Sequence, residues 1–570
     1  MSDTVHQPAT PFRLGIIVLM IMLACAILVW RAFDLHIFNK KFLQSQGDAR
    51  ALRVENVAAH RGMITDRHGE PLAVSTPVDS IWVHPETFLT ARSQWPKLTK
   101  LLDLKVNTLA KLIQSRKDKE FVYLKRRLNP ELAEQVMALE IPGVSTQREY
   151  RRYYPLGEVA SHVIGFTNVD DTGQEGLELA YDEWLKGKTG KQRVVKDRLG
   201  RIIKHVDLIK AANPGKDLIL SLDRRLQYLT YRELKRAVFQ HKARSGSAII
   251  MDAKTGEILS MVNQPSYNPN NRQNLKGSRY RNRAVTDTFE PGSATKPFTI
   301  AAALESGRYS TSSTIDTSPG FMHVGTNRIR DIRNYGRINL ATIIQKSSNV
   351  GASKIALSMS SRKLWQVHNR LGFGMSSGSG FPGEVTGVLT HDSEWRKIDQ
   401  ATLSYGYGLS VTPLQLARAY AVLANQGRLT PVSFMKQEGD IRSEAVLKSS
   451  TVRTLNAMLE KVVAQDGTGQ RAKISGYRVA GKTGTIKKAT AGGYQDDKYI
   501  SVFAGMAPAS KPRLVMVVVI NEPRQGVYYG GEVSAPVFSK VMAGALRLMG
   551  IAPDMKVDQS VHLAAVGVKQ

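Results

Sequence analysis

An uncharged apolar segment near the N-terminus sets the first constraint on how this chain folds. Leu14–Trp30 contains no charged residue and lies between Arg13 and Arg31. Its seventeen residues are at the short end of what crosses a bilayer as a helix, and Trp30 is of a type that prefers the membrane interface. We therefore predict a transmembrane helix over residues 14–30, preceded by a tail of residues 1–13.

A cleaved signal peptide is the alternative interpretation of this segment. Met22–Cys25 is a weak match to a lipidation box, but the apolar run continues past Cys25 and no A-x-A cleavage site follows. An uncleaved anchor is therefore favoured. Charge does not fix its orientation, because Arg13 on one side is opposed by Lys40 and Lys41 on the other.

The rest of the chain is long and strongly basic. Its 570 residues suffice for two or three domains with cores of their own. The formal net charge of +30 favours anionic partners, but no nucleic-acid-binding module is recognisable, so we expect no nucleic acid. With only one cysteine, Cys25, no intrachain disulfide can form. The histidines are scattered, and neither a metal nor another cofactor is expected.

Local patterns divide the chain after the anchor into four parts. Residues 31–57 are a polar, helix-like stalk, and residues 553–570 are a loose tail. Residues 58–215 are a mixed, basic domain, in which Leu101–Ser115 and Pro130–Ala138 have the apolar spacing of helices. Residues 216–552 form a second domain.

Strand-like segments occur at both ends of this second domain. They are Leu218–Leu222, Ser247–Asp252, Glu257–Val262, Tyr499–Met506 and Leu514–Ile520. Helical patterns occupy Arg225–Gln240, Phe298–Glu305, Pro413–Ala424 and Val533–Leu548. Strands at both ends with helices between them predict an α+β domain whose terminal segments share one sheet.

Two familiar motifs occur in the wrong context. Gly476–Thr483 matches the P-loop pattern, but neither a buried strand before it nor a helix after it is predicted. Gly374–Gly378 matches the nucleophile elbow of α/β-hydrolases, but it lies in a Gly/Ser-rich run. We interpret both as accidental.

Three short motifs together carry more weight than any of them alone. S-x-x-K occurs at Ser293, Ser360 and Ser433, S-x-N at Ser266 and Ser347, and K-T-G at Lys188, Lys254 and Lys482. This set, in the order S-x-x-K, S-x-N, K-T-G, marks β-lactamases and penicillin-binding proteins. Only Ser293/Lys296, Ser347/Asn349 and Lys482-Thr483-Gly484 satisfy that order. Ser293 also follows a Pro-Gly break and leads into a helical stretch, where a lysine three residues on shares its face.

Around these motifs the chain resembles the class B penicillin-binding proteins, and finer features resemble the division-specific, FtsI-type branch. The matching segments cover roughly residues 12 to 552. They include Arg61–Gly69, Tyr154–Gly157, Gly176–Glu178, Asn263–Asn270, Glu290–Pro297, Gly406–Pro413, Lys482–Thr485 and Tyr528–Phe538. The resemblance implies a pedestal domain, elongated and of the dimerisation type, over residues 58–215. It implies a transpeptidase domain of the serine β-lactamase-like fold, an antiparallel sheet flanked by helices, over residues 216–552.

The resemblance also implies a role for each motif residue. Ser293 would be the acylating nucleophile, Lys296 its base and Ser347 a proton relay. Asn349, Lys482, Thr483, Gly484 and Thr485 would bind the substrate. The reaction would be that of a serine-type D-Ala-D-Ala transpeptidase that cross-links peptidoglycan stem peptides and is acylated by β-lactams, without a cofactor.

Location and partners follow from the same resemblance. The N-terminus would be cytoplasmic and the bulk periplasmic, on a single pass through the inner membrane. An FtsW-type glycan polymerase and other divisome proteins are the implied partners. The alternatives are an elongation-specific transpeptidase of the same class, and a β-lactam-binding scaffold or sensor without synthetic activity.

Overall fold

A computed structural model describes residues 11–42, 52–196, 202–273, 277–490 and 493–555. The outer parts of both predicted tails and residues 43–51 of the stalk lie outside the described residues. Contacts group the chain into two compact units. Unit 1 comprises Met1–His60, Pro77–Tyr150 and Gly187–Pro214, and unit 2 comprises Arg61–Thr76, Arg151–Lys186 and Gly215–Gln570. The predicted domain limits, residues 58–215 and 216–552, stay a prediction, because units defined by contacts need not coincide with domains defined along the sequence.

The described residues contain one helix long and apolar enough to cross a membrane. Helix Pro11–Phe33 continues as a π-helical turn over Asp34–Phe38. The helical segment of membrane-spanning length is Phe12–Phe38. It is longer than the apolar run because Arg13 and Arg31 extend the helix, and such long side chains can reach the interface from within it.

Unit 1 contains a three-stranded antiparallel sheet in the order Leu52–Val57, Gly190–Lys196, Ile202–Lys210. The prediction of a helix-like stalk is therefore wrong at its end, since Leu52–Val57 pairs along its whole length with Gly190–Lys196. The other elements of unit 1 are helices Pro85–Leu89, Trp95–Leu102, Val106–Gln114 and Pro130–Met137, strand Val122–Leu128, and parts of strands Pro71–Val83 and Val144–Tyr153.

The helix predicted over Leu101–Ser115 is two helices. Trp95–Leu102 ends at Asp103, which has a left-handed backbone with φ of 51°, and Val106–Gln114 begins after Lys105. Aspartate is among the few residues that adopt this conformation readily. The apolar spacing continues across the break because both helices bury one face in the same core.

Small elements surround the start of unit 2. Strand Ile64–Thr65 pairs with the beginning of Pro71–Val83 and, in parallel, with Leu218–Ile219. The strand predicted over Leu218–Leu222 thus stops early, because Asp223 caps the helix Arg224–Gln240. Further short elements are Ser161–Ile164, Phe166–Thr167, Gly173–Glu175, Gly176–Ala180 and Asp182–Leu185.

A five-stranded antiparallel sheet organises the rest of unit 2. Its strands are β1 Ser245–Asp252, β2 Ile258–Gln264, β3 Ala480–Thr490, β4 Gly493–Ala507 and β5 Leu514–Asn521, in the order β2-β1-β5-β4-β3. The prediction that strands from both ends of the domain share a sheet is confirmed. So is the α+β class, with an antiparallel sheet flanked by helices.

Alternate side chains of this sheet enter two hydrophobic cores. Ile250 and Val518 point into the core with helices Arg224–Gln240 and Ala535–Leu548. Ile249 and Val517 point into the other core, which includes helices Lys296–Glu305, Pro413–Ala424 and Ser449–Val463. Because both faces are covered, β1 and β5 are buried almost throughout. The smaller elements on the second side are Thr314–Asp316, Phe321–Val324, Asn327–Arg330, Arg337–Asn339, Leu340–Lys346, Asn349–Leu357, Ser361–Arg370 and Lys397–Leu403.

Candidate active site

Ser293 lies in a short 3₁₀ turn, Gly292–Thr295, directly before the helix Lys296–Glu305. The side chain is partly exposed, whereas Gly292 and Ala294 on either side are buried. The N–H of Gly292 donates to the carbonyl of Gly406 at 3.0 Å, and a Cβ on Gly406 would lie 2.1 Å from the carbonyl oxygen of Gly292. This close approach of two backbones, possible only with glycine at 406, fixes the turn that presents the serine hydroxyl.

Lys296 begins that helix and is fully buried. Its Nζ lies 3.1 Å from Oγ of Ser293, 3.1 Å from Oγ of Ser347 and 2.7 Å from Oδ1 of Asn349. The backbone carbonyl of Ser347 is a further acceptor. The first two motifs therefore meet at one amine.

Ser347 ends the helix Leu340–Lys346 with a left-handed backbone, φ 60°, which is uncommon for a residue other than glycine. This conformation turns its hydroxyl toward two lysines, since Oγ lies 3.1 Å from Nζ of Lys296 and 3.1 Å from Nζ of Lys482. The next helix, Asn349–Leu357, starts with Asn349 and is capped by Ser348. The turn between these two helices thus places the hydroxyl of Ser347 and the side-chain amide of Asn349 beside Nζ of Lys296.

The K-T-G motif lies on strand β3, at the edge of the sheet. Lys482 is fully buried, and Thr483 and Gly484 are buried beside it, while Thr485 is partly exposed. The Thr483 hydroxyl donates to the hydroxyl of Thr468 at 2.9 Å. Oγ1 of Thr485 accepts the N–H of Gly530 at 2.9 Å. All the residues predicted for the site therefore lie on three segments that converge within unit 2.

Burial lowers the pKa of both lysines. The pKa of Lys296 falls well below its ordinary value, first because burial removes the ammonium from water and second because the charge of Lys482 repels it. Burial lowers the pKa of Lys482 to about 7. Two amines this close cannot both stay charged at little cost, so one of them can serve as a base near neutral pH.

Asp331 belongs to this site but has no signal in the sequence. Its Oδ1 accepts the N–H groups of Asn349 and Val350 at 2.5 and 3.0 Å, and its Oδ2 accepts the hydroxyl of Ser348 at 2.5 Å. Its charge opposes the lowering of the Lys296 pKa. The carboxylate therefore holds the helix that carries Asn349 and tunes the amine next to it.

The two motifs set aside above do not have the structure that their usual chemistry needs. Gly476–Thr483 runs into β3, which begins at Ala480, rather than into a helix. Gly374–Gly378 lies in an irregular segment after the helix Ser361–Arg370. A P-loop requires a helix N-terminus after its glycines, and an elbow requires a strand before its serine.

Comparison with known proteins identifies the family. The penicillin binding protein transpeptidase domain matches residues 246–543, and the penicillin-binding protein dimerisation domain matches residues 56–220. Peptidoglycan D,D-transpeptidase FtsI of Escherichia coli strain K12 is 44% identical over 554 residues, which cover 96% of this chain and 94% of that protein. The probable peptidoglycan D,D-transpeptidase PbpC of Pseudomonas aeruginosa is 41% identical over 95% of this chain and 96% of its own.

A solved structure agrees with these relatives. The apo structure of the TP domain from Burkholderia pseudomallei penicillin-binding protein 3 covers 59% of this chain and 98% of its own, with a TM-score of 0.55 and 41% sequence identity. The sequence relatives extend over nearly the whole chain and thus include the dimerisation domain as well as the transpeptidase domain. The chain therefore belongs to the class B penicillin-binding proteins, and within that class to the FtsI-type peptidoglycan D,D-transpeptidases.

Proposed function

We propose that this chain cross-links peptidoglycan by D,D-transpeptidation through an acyl-enzyme on Ser293. The observation that carries this proposal is one continuous set of polar contacts. Nζ of Lys296 joins the hydroxyls of Ser293 and Ser347, and Nζ of Lys482 joins Ser347 from the other side, each at 3.1 Å. A nucleophile, a base and a cation are the parts that acyl transfer to and from a serine needs.

In the first half of the reaction, Oγ of Ser293 attacks the carbonyl carbon of the penultimate D-alanine of a stem peptide. Its proton passes to Nζ of Lys296. The backbone N–H groups of Ser293 and Thr485 stabilise the oxyanion of the tetrahedral intermediate. When the peptide bond breaks, the leaving D-alanine nitrogen takes a proton, with the hydroxyl of Ser347 as the relay from Lys296.

The surroundings of Lys296 favour its neutral form as the base. A neutral amine has two N–H donors and one lone pair. The carbonyl of Ser347 and Oδ1 of Asn349 can only accept hydrogen bonds, so they occupy both donors. The lone pair is then left to accept from a hydroxyl, and those of Ser293 and Ser347 both lie 3.1 Å away, as a base and a proton relay require.

The substrate's terminal carboxylate would bind to the K-T-G segment. Lys482 supplies the charge, and the hydroxyls of Thr483 and Thr485 supply donors, while Gly484 leaves space beside Pro291. Asn349 positions the peptide as well as the lysine. An amine of a second stem peptide then attacks the acyl-enzyme, which restores Ser293 and forms the cross-link. Water in place of that amine would make the same site a carboxypeptidase.

The activity is tested with the full chain in detergent or vesicles, given a stem peptide ending in D-Ala-D-Ala. We expect D-alanine release and, with a second stem peptide that has a free amine, a cross-linked product of the summed mass less one D-alanine. Rapid hydrolysis of penicillin, with no cross-linked product, would instead support a β-lactamase and contradict the proposal.

The acylation rate should fall as the pH rises above about 7. Lys482 is charged below its pKa, which burial lowers to about 7, and neutral above it, so its attraction for a carboxylate is lost on the alkaline side. The measurement is kcat/KM for acylation by a fluorescent penicillin between acid and alkaline pH. Lys482→Arg, which keeps its charge, should move the alkaline limb to higher pH. A wild-type rate that stays flat to alkaline pH would contradict this role.

Asp331→Asn should lower kcat/KM for acylation by on the order of tenfold, since one charge-assisted contact at the start of the helix Asn349–Leu357 is lost. The same change should shift the acid limb of the pH profile to lower pH, because Asp331 raises the pKa of Lys296. Asp331→Glu should restore part of the rate. A purely structural role would lower the rate without moving the acid limb.

We further propose that the chain acts at the division septum, with its N-terminus in the cytoplasm and the chain beyond the membrane helix in the periplasm, where peptidoglycan is made. An FtsW-type glycan polymerase and other divisome proteins are the proposed partners. Protease added outside spheroplasts should then degrade the chain beyond the anchor. A fluorescent fusion spread along the side wall rather than at midcell would favour the elongation role instead.

A further inference from the structure

The three-stranded sheet of unit 1 has a surface that the transpeptidase reaction does not use. Strands Gly190–Lys196 and Ile202–Lys210 form an antiparallel hairpin, here named the basic hairpin, which is held to strand Leu52–Val57. We infer that the basic hairpin docks on the anionic phospholipid headgroups of the bilayer that the N-terminal helix crosses. This inference rests on the membrane anchor and not on the chemistry of Ser293.

The charge of the basic hairpin is strongly one-sided. Its two strands carry five basic residues and one acidic residue, which are Lys191, Arg193, Lys196, Lys204, Lys210 and Asp207. Asp207 forms an ion pair with Arg193 at 3.7 Å, and both side chains are about half exposed. Lysines near an anionic leaflet are attracted to it, so the three exposed lysines Lys191, Lys204 and Lys210 suit such a surface.

The arrangement of these charges also costs stability when no anion is present. Lys191 lies directly opposite Lys210 in the register of the hairpin, and Lys204 lies opposite Val195 on the same face. All three lysines are exposed. Like charges directly opposite each other destabilise a strand pair. A layer of phosphate groups over this face would remove that repulsion.

The outer strand of the basic hairpin is apolar as well as basic. Ile203, Val206, Leu208 and Ile209 each have between 46% and 66% of their surface exposed. Soluble proteins protect edge strands with charge or cover, and rarely leave four large apolar side chains exposed on one of them. Basic residues together with exposed apolar side chains are the composition of segments that rest in a membrane interface.

Chain connectivity holds the basic hairpin close to the bilayer. The nine residues between Phe42 and Leu52 can span at most about 35 Å. Leu52 pairs with Val195, and Val57 pairs with Gly190. The chain from the anchor thus enters the sheet beside the last residues of Gly190–Lys196 and the first residues of Ile202–Lys210.

The test uses the full chain in vesicles, with Cys25→Ser and an environment-sensitive dye on Ile203→Cys. In phosphatidylcholine vesicles with about one third phosphatidylglycerol, we expect blue-shifted emission and quenching by lipids that carry a nitroxide near the headgroup. Pure phosphatidylcholine, or high salt with the anionic lipid, should abolish both effects. A dye on Val106→Cys, an exposed residue of unit 1 outside the sheet, should respond to neither lipid.

Charge reversal separates a specific surface from a general attraction. Lys191→Glu, Lys204→Glu and Lys210→Glu together should reduce the ratio of docked to undocked protein by on the order of a hundredfold. The matched control, Lys111→Glu, Lys117→Glu and Lys119→Glu, makes the same charge change elsewhere in unit 1 and should have no effect. Labelling of Ser293 by a fluorescent penicillin reports whether each variant is folded.

Three results would overturn the inference. The first is equal dye emission in neutral and anionic vesicles. The second is an equal effect of the two triple variants, which would mean that net charge alone attracts the protein. The third is a dye that becomes protected only when other membrane proteins are added, which would assign the basic hairpin to a protein partner.

Discussion

Replacing Ser293 by alanine should abolish covalent labelling by a fluorescent penicillin. Ser293 is partly exposed directly before the helix Lys296–Glu305, with its Oγ 3.1 Å from Nζ of Lys296, whereas both site lysines are fully buried. Removal of the nucleophile from a serine acyl-transfer enzyme costs about 10⁶ in rate. The measurement is the adduct on the full chain, located by mass spectrometry on its peptide.

The chain offers a matched control for this experiment. Ser360 and Lys363 form another S-x-x-K sequence. Ser360 directly precedes the helix Ser361–Arg370, much as Ser293 lies just before the helix Lys296–Glu305. Ser360→Ala should label like the wild type. Labelling that survives in Ser293→Ala would refute the assignment of the nucleophile. Normal septation in cells with only Ser293→Ala would point to a scaffold as the essential role.

Replacing Lys296 by methionine should lower the acylation rate by about 10³-fold to 10⁴-fold, near the upper limit for loss of a general base. Methionine has nearly the length of lysine but no proton acceptor of comparable basicity. The fold should persist, since a buried amine is exchanged for an apolar side chain. The measurements are stopped-flow acylation and the temperature of thermal unfolding.

Two further variants locate the base. Lys296→Arg keeps a cation but cannot lose its proton at accessible pH, so it should be as slow as the methionine variant. Lys363→Met, the change at the other S-x-x-K sequence, should acylate normally. A Lys296→Met protein that unfolds at the wild-type temperature and acylates at the wild-type rate would show that another group takes the proton.

The sequence predicts well those parts of the fold that depend on local pattern. The predicted strand Ser247–Asp252 and the predicted helix Pro413–Ala424 are both found, as Ser245–Asp252 and Pro413–Ala424, because each depends on a short-range pattern. The three motifs are found because their order is distinctive. Their approach to within 3.1 Å of one another is not visible in spacing and depends on the sheet.

The failures have a common physical origin. Leu52–Val57 becomes a strand only because Gly190–Lys196, far along the chain, pairs with it. The break at Asp103 depends on one left-handed residue within a continuous apolar pattern. Asp331 contacts Ser348 and Asn349 across a loop, and a lone aspartate has no pattern that would mark it. In each case a long-range or single-residue effect overrides the local signal.

The order β2-β1-β5-β4-β3 has a consequence for biosynthesis. The strand made last, Leu514–Asn521, is the central one, so the two earlier hairpins cannot join until it emerges. At ribosomal speeds of about 5–20 residues per second, the first hairpin waits roughly 13 to 50 seconds for its neighbour. Until Leu514–Asn521 is made, β1 leaves an open, apolar edge. A chaperone that holds unfolded chains is the kind of helper that such a nascent chain would need, and a chain that stops before residue 514 should be degraded rather than stored.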